Sequence, residues 1–204
     1  MRRAAWTVAV IVALLSIRPV ANLISPNQIM NTSFDPLDLV NTYGAFGSVG
    51  SQRLNVVFEG TDADMPDERA VWREYPYRGL PVALDRRPPQ IAPWQLRLDW
   101  QMWFAAMSSP GHYPWTLNLI WKLLHNDPGT LGLFAANPFP EKPPHYIRAI
   151  LYRYEFAPPG NSQHLWWKRE ELNVWLPPLS ADDSQLAELL KAAGWLDEPN
   201  RVSP

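Results

Sequence analysis

The chain opens on an apolar block. After Met1-Arg2-Arg3, residues 4–17 are apolar except for Thr7 and Ser16. Arg18 and Pro19 break the block, and a second apolar piece follows over 20–24 with Asn22 inside it. From Val8 to Leu15 the whole circumference of a helix is apolar, which is not the pattern of an amphipathic helix on a soluble core. A basic start with a short apolar stretch suits a signal sequence. A membrane helix needs about 20 residues and has to take in Arg18 and Asn22. Both readings keep Arg2 and Arg3 on the cytoplasmic side and send the rest across. Residues 25–39 are rich in turn formers and read as an extended connector leaving the membrane. Within them Asn31-Thr32-Ser33 is a formal glycosylation sequon.

The body alternates strand and helix periods. LVNTYGAFGSV (39–49) is rich in β-formers with Gly44 and Gly47 inserted, a strand with a bulge or close approach. In RLNVVFEG (53–60), Leu54, Val56 and Phe58 share one face and Asn55 and Glu59 the other. VWREYPYR (71–78) alternates again, and Pro76 marks an edge strand. A helix is then predicted from Asp99 as N-cap, with Trp100, Trp103, Phe104 and Met107 on its inner face. A second runs over 115–125 with Leu117, Ile120, Trp121 and Leu124 inward, and a third starts at Asp127-Pro128. The segment 138–144 holds four prolines and reads as an ordered staple. HYIRAILYRYEFA (145–157) has apolar residues on both faces and reads as a central strand. Residues 166–176 read as its returning partner, closed by Pro177-Pro178. Asp183 then caps a helix with Leu186, Leu189, Leu190 and Ala193 inward and Gly194 as its stop. Strands and helices are segregated. The fold class is therefore α+β: an antiparallel, sandwich-like β-sheet with a helical insertion and a C-terminal helix, preceded by one N-terminal membrane helix.

Composition removes several functions. The 204 residues include no cysteine, so thiol nucleophiles, disulfide exchange and Cys-ligated zinc are excluded for this chain. A formal net charge of −2 offers no positive field for phosphate backbones, and no nucleic acid is expected. Setting aside Arg2, Arg3 and Arg18 leaves the body more acidic still. Lys occurs only at 122, 142, 168 and 191, so Arg dominates the 18 basic residues. Beside 11 tryptophans this favours Arg–ring stacking. There are 22 prolines, about twice the usual share.

Catalytic signals are weak. The histidines (112, 125, 145, 164) have no metal-ligand spacing, and no GxSxG elbow occurs. No metal, cofactor or enzymatic activity is expected. Carboxylates among rings leave an aromatic-lined glycan- or lipid-binding module as the alternative, built on Trp100, Trp103, Trp166, Trp167 and Glu155. The polar–aromatic residues singled out, as structural ties or as client contacts, are Arg97, Asp99, Trp100, Trp103, Arg148, Arg153, Glu155, Trp166 and Trp167. Asp99 reads as a cap, Glu155 as the partner of Arg153 or Arg169, and Glu170 as a solvated edge residue. Trp166 and Trp167 are neighbours on a strand and must point to opposite sides.

Longer words then stand out. ISPNQIMNTSFDP (24–36), LVNTYGAFGSVG (39–50), RLDWQMWFAAM (97–107), NPFP (137–140), PPHYIRAILYRYEF (143–156), WWKRE (166–170) and WLPPLS (175–180) occur in this order. Together they resemble the lipase maturation factor family over most of residues 24–180. The resemblance implies several things beyond the residues themselves. Such proteins are multi-span membrane proteins of the endoplasmic reticulum that assist folding and assembly of secreted lipases. The matching part is their lumenal C-terminal domain. The opening helix then corresponds to a last membrane helix and is an anchor, not a cleaved signal. The expected divisions are an anchor (1–25), a connector (26–38), the family domain (39–180) and a C-terminal helix and tail (181–204). The expected partners are a secreted lipase or other exported client, the membrane, and an upstream multi-span region. The expected location is membrane-bound with the domain on the exoplasmic side: the endoplasmic reticulum lumen in a eukaryote, the periplasmic or outer face in a bacterium. The multi-span part is absent from this sequence, and any help it gives must come by contact without thiols.

Overall fold

A computed structural model of the chain describes residues 2–44, 52–91 and 93–196. It divides into two compact units, residues 1–51 and 52–204. The first begins with helices α1 (Arg2–Leu15) and α2 (Ile17–Ile24). They are continuous through Ser16, whose N–H bonds to Val12 O and whose carbonyl accepts from Val20 N. Arg2–Ile24 makes one helix of 23 residues, long and apolar enough to cross a membrane. At 1.5 Å per residue that is about 35 Å, against a hydrocarbon thickness of about 30 Å.

The polar residues inside this helix have specific partners. Arg18 Nη1 donates to Phe34 O at 3.1 Å. Asn22 exchanges two hydrogen bonds with the backbone of Ile29, and Gln28 donates to Leu23 O. The segment after the helix therefore folds back onto it and is not an extended connector. It closes on itself through a short antiparallel ladder of β1 (Thr32–Ser33) and β2 (Asn41–Thr42). Asp35 is the hub: its carboxylate accepts from the N–H groups of Leu37, Leu39 and Val40. Desolvation pushes that carboxyl up, and the N–H groups of Val40, Leu39 and Leu37 outweigh it and hold it below the ordinary aspartate range. Among the described residues of the predicted strand 39–49, only Asn41–Thr42 pairs; residues 45–51 lie outside the described residues.

The second unit is α+β, as the segregated pattern predicts. Its antiparallel sheet has the order β4-β3-β5-β6, from β3 (Arg53–Thr61), β4 (Arg73–Glu74), β5 (Tyr146–Phe156) and β6 (Trp167–Ser180). Between β4 and β5 come α3 (Arg97–Ala105), a 3-10 turn (Pro110–His112), α4 (Trp115–Leu124) and α5 (Pro128–Leu131). The layer against the sheet is helical: α3 packs on β3, and α4 on β5 and β6. β5 is central, as its two-sided apolar pattern predicts. β6 runs on through Pro177 and Pro178, which do not close it. As the edge strand it leaves their missing N–H groups outside the ladder. β3 is buried on both faces from Asn55 to Thr61, so its alternation marks faces of different chemistry, not a dry and a wet side.

Three helix faces differ from the simple period. α3 starts two residues earlier, and Asp99 lies within its first turn, not at its cap. Its inner face is Leu98, Asp99, Met102 and Ala105. Trp100, Trp103 and Phe104 are half-buried, and Met107 is exposed. The rings instead cluster with one another, with centroids 5.3 Å apart pairwise. Residues 98, 102 and 105 satisfy the same helical spacing as 100, 103, 104 and 107. The choice falls to the face that brings Asp99 to two backbone N–H groups. α4 is rotated by about one position, burying Thr116, Leu119, Ile120, Leu123 and Leu124. Asp127 caps α5 as predicted, accepting from Thr130 N at 2.7 Å. α6 (Ser184–Ala192) is capped by Asp183 and buries Leu186 and Leu190, whereas Leu189 is exposed. Gly194 follows it with φ 71°.

The proline-rich segment is an ordered staple. Phe139 is buried, its carbonyl accepts from Asn126 and Asn137 side chains, and Arg73 stacks on its ring at 4.3 Å while donating to Pro138 O. Gly60 on β3 faces this staple. A Cβ there would meet Phe139 Cε2 at 2.6 Å, so only glycine lets the ring close on the strand.

Candidate functional site

The register of β3, β4, β5 and β6 assembles a charged, aromatic network on one face of the sheet. Glu59 lies opposite Arg148 on one side and Glu74 on the other. Glu59 is nearly fully buried, and Oε2 receives Arg148 Nε at 2.9 Å and Nη2 at 2.8 Å. Oε1 accepts from the Tyr152 hydroxyl at 3.1 Å. The Arg148 guanidinium also covers the Trp72 ring at 4.1 Å. Next along β5, Arg169 of β6 pairs with Glu74 at 2.5 Å and stacks on Tyr152 at 4.4 Å. Burial alone lowers the Arg169 guanidinium; Glu74 and the Tyr154 hydroxyl more than reverse this and raise it. Burial, then the Glu59 charge, pushes the Tyr152 phenol up; burial does the same to Tyr154. Both pairs are part-buried, Glu59 most deeply, and each charge is met by its partner.

A second tie crosses from α3. Asp99 Oδ1 accepts Gly79 N at 2.6 Å and Leu80 N at 2.7 Å. The segment that follows bonds to the sheet: Asn55 donates to Pro81 O, the Tyr154 hydroxyl to Val82 O, and Trp167 Nε1 to Arg86 O. Trp166 N and Trp167 N both donate to Leu84 O. Asp99 thereby positions the strap 79–87, which borders the network at Tyr154 and Arg169. Burial, then the charge of Asp99, raises the nearby Tyr77 phenol well above its ordinary range.

The residues expected from sequence now separate. Asp99, Arg148 and Trp167 are buried or half-buried struts. Arg153 pairs with Glu170. Glu155 is exposed and stands opposite Lys168, so its expected pairing with Arg153 or Arg169 is corrected. The reason is register: Arg153 faces Glu170 across the ladder, and Arg169 is drawn to Glu74 on the far side of β5. Trp100 and Trp103 belong to the α3 ring cluster, and Trp166 is exposed where Trp167 is buried, as alternation requires.

Two grooves lie at the surface of this unit. One, of about 560 Å³, runs between α3 and α4. Leu98, Leu119 and Trp115 line it, with Arg97, Lys122, Gln101 and Asn118 supplying its polar groups. The other, of about 520 Å³, lies at the tip of the β5–β6 hairpin with Phe156, Leu165 and Trp166. Neither gathers the α3 tryptophans with Trp166, Trp167 and Glu155 as a glycan site would need. Among the described residues no group of three His, Asp or Glu could hold a metal ion. The Ser108 and Ser109 hydroxyls meet His112 Nδ1 at 3.2 and 3.0 Å, a local arrangement around the 3-10 turn.

Glu59, Glu74, Tyr152, Arg169 and Trp72 were not singled out from sequence. Glu59 carried a signal: a carboxylate in the middle of an apolar β-run, within reach of an arginine on the strand that pairs with it.

The elements carrying this geometry are the longer words of the sequence: RLDWQMWFAAM is α3 and its end, PPHYIRAILYRYEF leads into and forms β5, and WWKRE opens β6. The model of the lipase maturation factor C-terminal domain matches residues 39–177. The chain belongs to the lipase maturation factor family. It is 45% identical to lipase maturation factor 1 of Bos taurus over 181 residues, 85% of this chain and 32% of that protein. It is 45% identical to the Mus musculus lipase maturation factor 1 over 201 residues, 95% of this chain and 34% of that protein. Lipase maturation factor 2 of Xenopus laevis is 37% identical over 183 residues, 85% of this chain and 25% of that protein. The chain thus spans about a third of the length of the factor 1 relatives and a quarter of the factor 2 relative. No solved structure matches. Family membership and the helix Arg2–Ile24 agree with membrane association.

Proposed function

We propose that the chain is a membrane-anchored maturation factor that assists secreted lipases by direct contact, without catalysing a covalent step. The carrying observation is the family match over residues 39–177 in a chain that has no cysteine. Thiol chemistry is closed to it, and three ion pairs of the sheet (Glu59–Arg148, Glu74–Arg169 and Glu170–Arg153) suit a rigid platform. The groove between α3 and α4 is the contact surface. Its apolar floor and its two cations, Arg97 and Lys122, fit an apolar segment of the client bearing carboxylates. The nearby Asp127 carboxylate is turned to the α5 cap, accepting from Thr130 N at 2.7 Å. Arg2 and Arg3 stay in the cytoplasm and the domain lies on the exoplasmic side. The anchor (1–25), connector (26–38), family domain (39–180) and C-terminal helix and tail (181–204) are its working divisions. The experiment is co-expression with a secreted lipase, comparing active and total lipase with and without this chain. A higher active fraction, with the lipase recovered on the tagged chain, is expected. An unchanged active fraction with no lipase recovered overturns the proposal.

A second reading is favoured by the coverage of the relatives. The domain braces a multi-span membrane region, and it acts only when that region is co-expressed.

A further inference from the structure

The tip of the β5–β6 hairpin carries features that client contact at the helical groove does not use. Phe156 is 68% and Trp166 43% exposed, side by side with Leu165, Pro158 and Pro159 along one groove. An exposed apolar cluster of this kind needs a partner or a price in solubility. The loop is built, not slack. Pro159 and Gly160, with φ 73°, form the centre of a turn closed by Asn161 N to Pro158 O, the arrangement of a type II turn. Asn161 then clasps the loop: Nδ2 donates to Pro158 O and Leu165 O, and Oδ1 accepts from Leu165 N. His164 N bonds to Asn161 O, and Ala157 N to Trp166 O. These bonds satisfy the N–H groups of Ala157, Asn161, His164 and Leu165 within the tip, as irregular backbone entering a low-dielectric layer requires. Cations flank the rings: Arg87 sits over Trp166 at 5.7 Å, and Lys168 follows one residue beyond Trp167.

We propose that this tip is a membrane contact, seated in the interfacial layer of a bilayer. Trp and Phe with proline at the end of a rigid hairpin match the amphipathic character of that layer, and Arg87 and Lys168 match anionic headgroups. The occupant follows from the chain itself. The membrane-capable helix ends at Ile24, and the second unit starts at Gln52. The chain thus carries its own membrane-capable segment, so a bilayer is a partner available to the domain. The inference goes beyond the client reading and uses a different surface.

The chain has no cysteine, so one introduced thiol gives a single labelling site. The full chain carrying Gln163→Cys at the tip, or Lys142→Cys on the proline staple, is labelled with an environment-sensitive fluorophore. Each is reconstituted in phosphatidylcholine vesicles, with and without phosphatidylserine, containing spin-labelled lipid. The proposal expects a blue shift and several-fold stronger quenching at 163 than at 142, increased by phosphatidylserine and reduced by Trp166→Ala. Equal quenching at the two positions overturns it. So does shielding of position 163 that occurs only when a secreted lipase is added, which makes the tip a client surface. Lipase activity is not read, so its outcome is independent of the maturation assay.

Discussion

The two ends of strand β5 handle polarity in opposite ways. At the Glu59–Arg148 end, a buried carboxylate is paired with a half-buried guanidinium. At the Phe156–Trp166 end, rings are exposed while the loop's backbone is closed on itself. The usual ordering of inside and outside is reversed at both. Buried ion pairs add little net stability over a well-packed apolar core, but removing one partner leaves an uncompensated charge. Exposed rings cost little in the folded state and are free to bind. One end ties the strands together, and the other leaves apolar surface exposed.

The largest break in this comparison is Glu59→Ala. It strands the Arg148 guanidinium and the Tyr152 hydroxyl, and we expect a loss of about 3 kcal/mol in urea unfolding. Asp99→Ala comes next. It removes the acceptor for Gly79 N and Leu80 N and loosens the strap, for about 2 kcal/mol. Increased amide exchange at 79 and 80, measured by NMR, locates the damage. Asp127→Ala removes the α5 cap and costs about 1 kcal/mol. The Asp127 carboxyl is lowered by the Thr130 hydroxyl and N–H, then by Lys122. Its contribution is therefore present above the ordinary aspartate value of about 3.9 and is lost as pH falls through the lower folded value. Acid titration of stability should lose its contribution below that value in the parent and show no such component in the alanine variant. Trp166→Ala is the smallest, within about 0.5 kcal/mol of the parent in the same urea experiment, because its ring is exposed. A large loss there would place the ring in the core and end the contrast.

The phenols sharpen the same contrast in the alkaline direction. Burial raises Tyr75, Tyr77, Tyr152 and Tyr154. Their contribution is complete below the ordinary tyrosine value of about 10 and falls as pH rises through the raised folded values. Ultraviolet titration should show these four ionising only with alkaline unfolding.

Much of this architecture was legible in the residues. The two-sided run of β5 predicted a central strand, and Asp127-Pro128 and Asp183 predicted the starts of α5 and α6. The Trp166–Trp167 pair predicted one ring in and one out. The faces of α3 and α4 were not legible, because two sets of positions satisfied the same helical spacing. For α3 what selects between them is long-range: two N–H groups at Gly79 and Leu80 that draw Asp99 inward. The partners of Arg153, Arg169 and Glu155 were hidden for a related reason. Strand register fixes them, and bulges between β5 and β6 shift that register along the ladder. The segment after the N-terminal helix looked extended because its turn residues gave no sign that Arg18 and Asn22 would reach back to Phe34 and Ile29.

The central claim is that the domain works by contact at a folded surface. Arg97→Glu with Lys122→Glu tests it most directly, since both residues are exposed and line the α3–α4 groove. The account predicts unchanged urea unfolding and a fall in the active fraction of a co-expressed lipase to the level seen without the chain. An active fraction equal to that with the parent would contradict it.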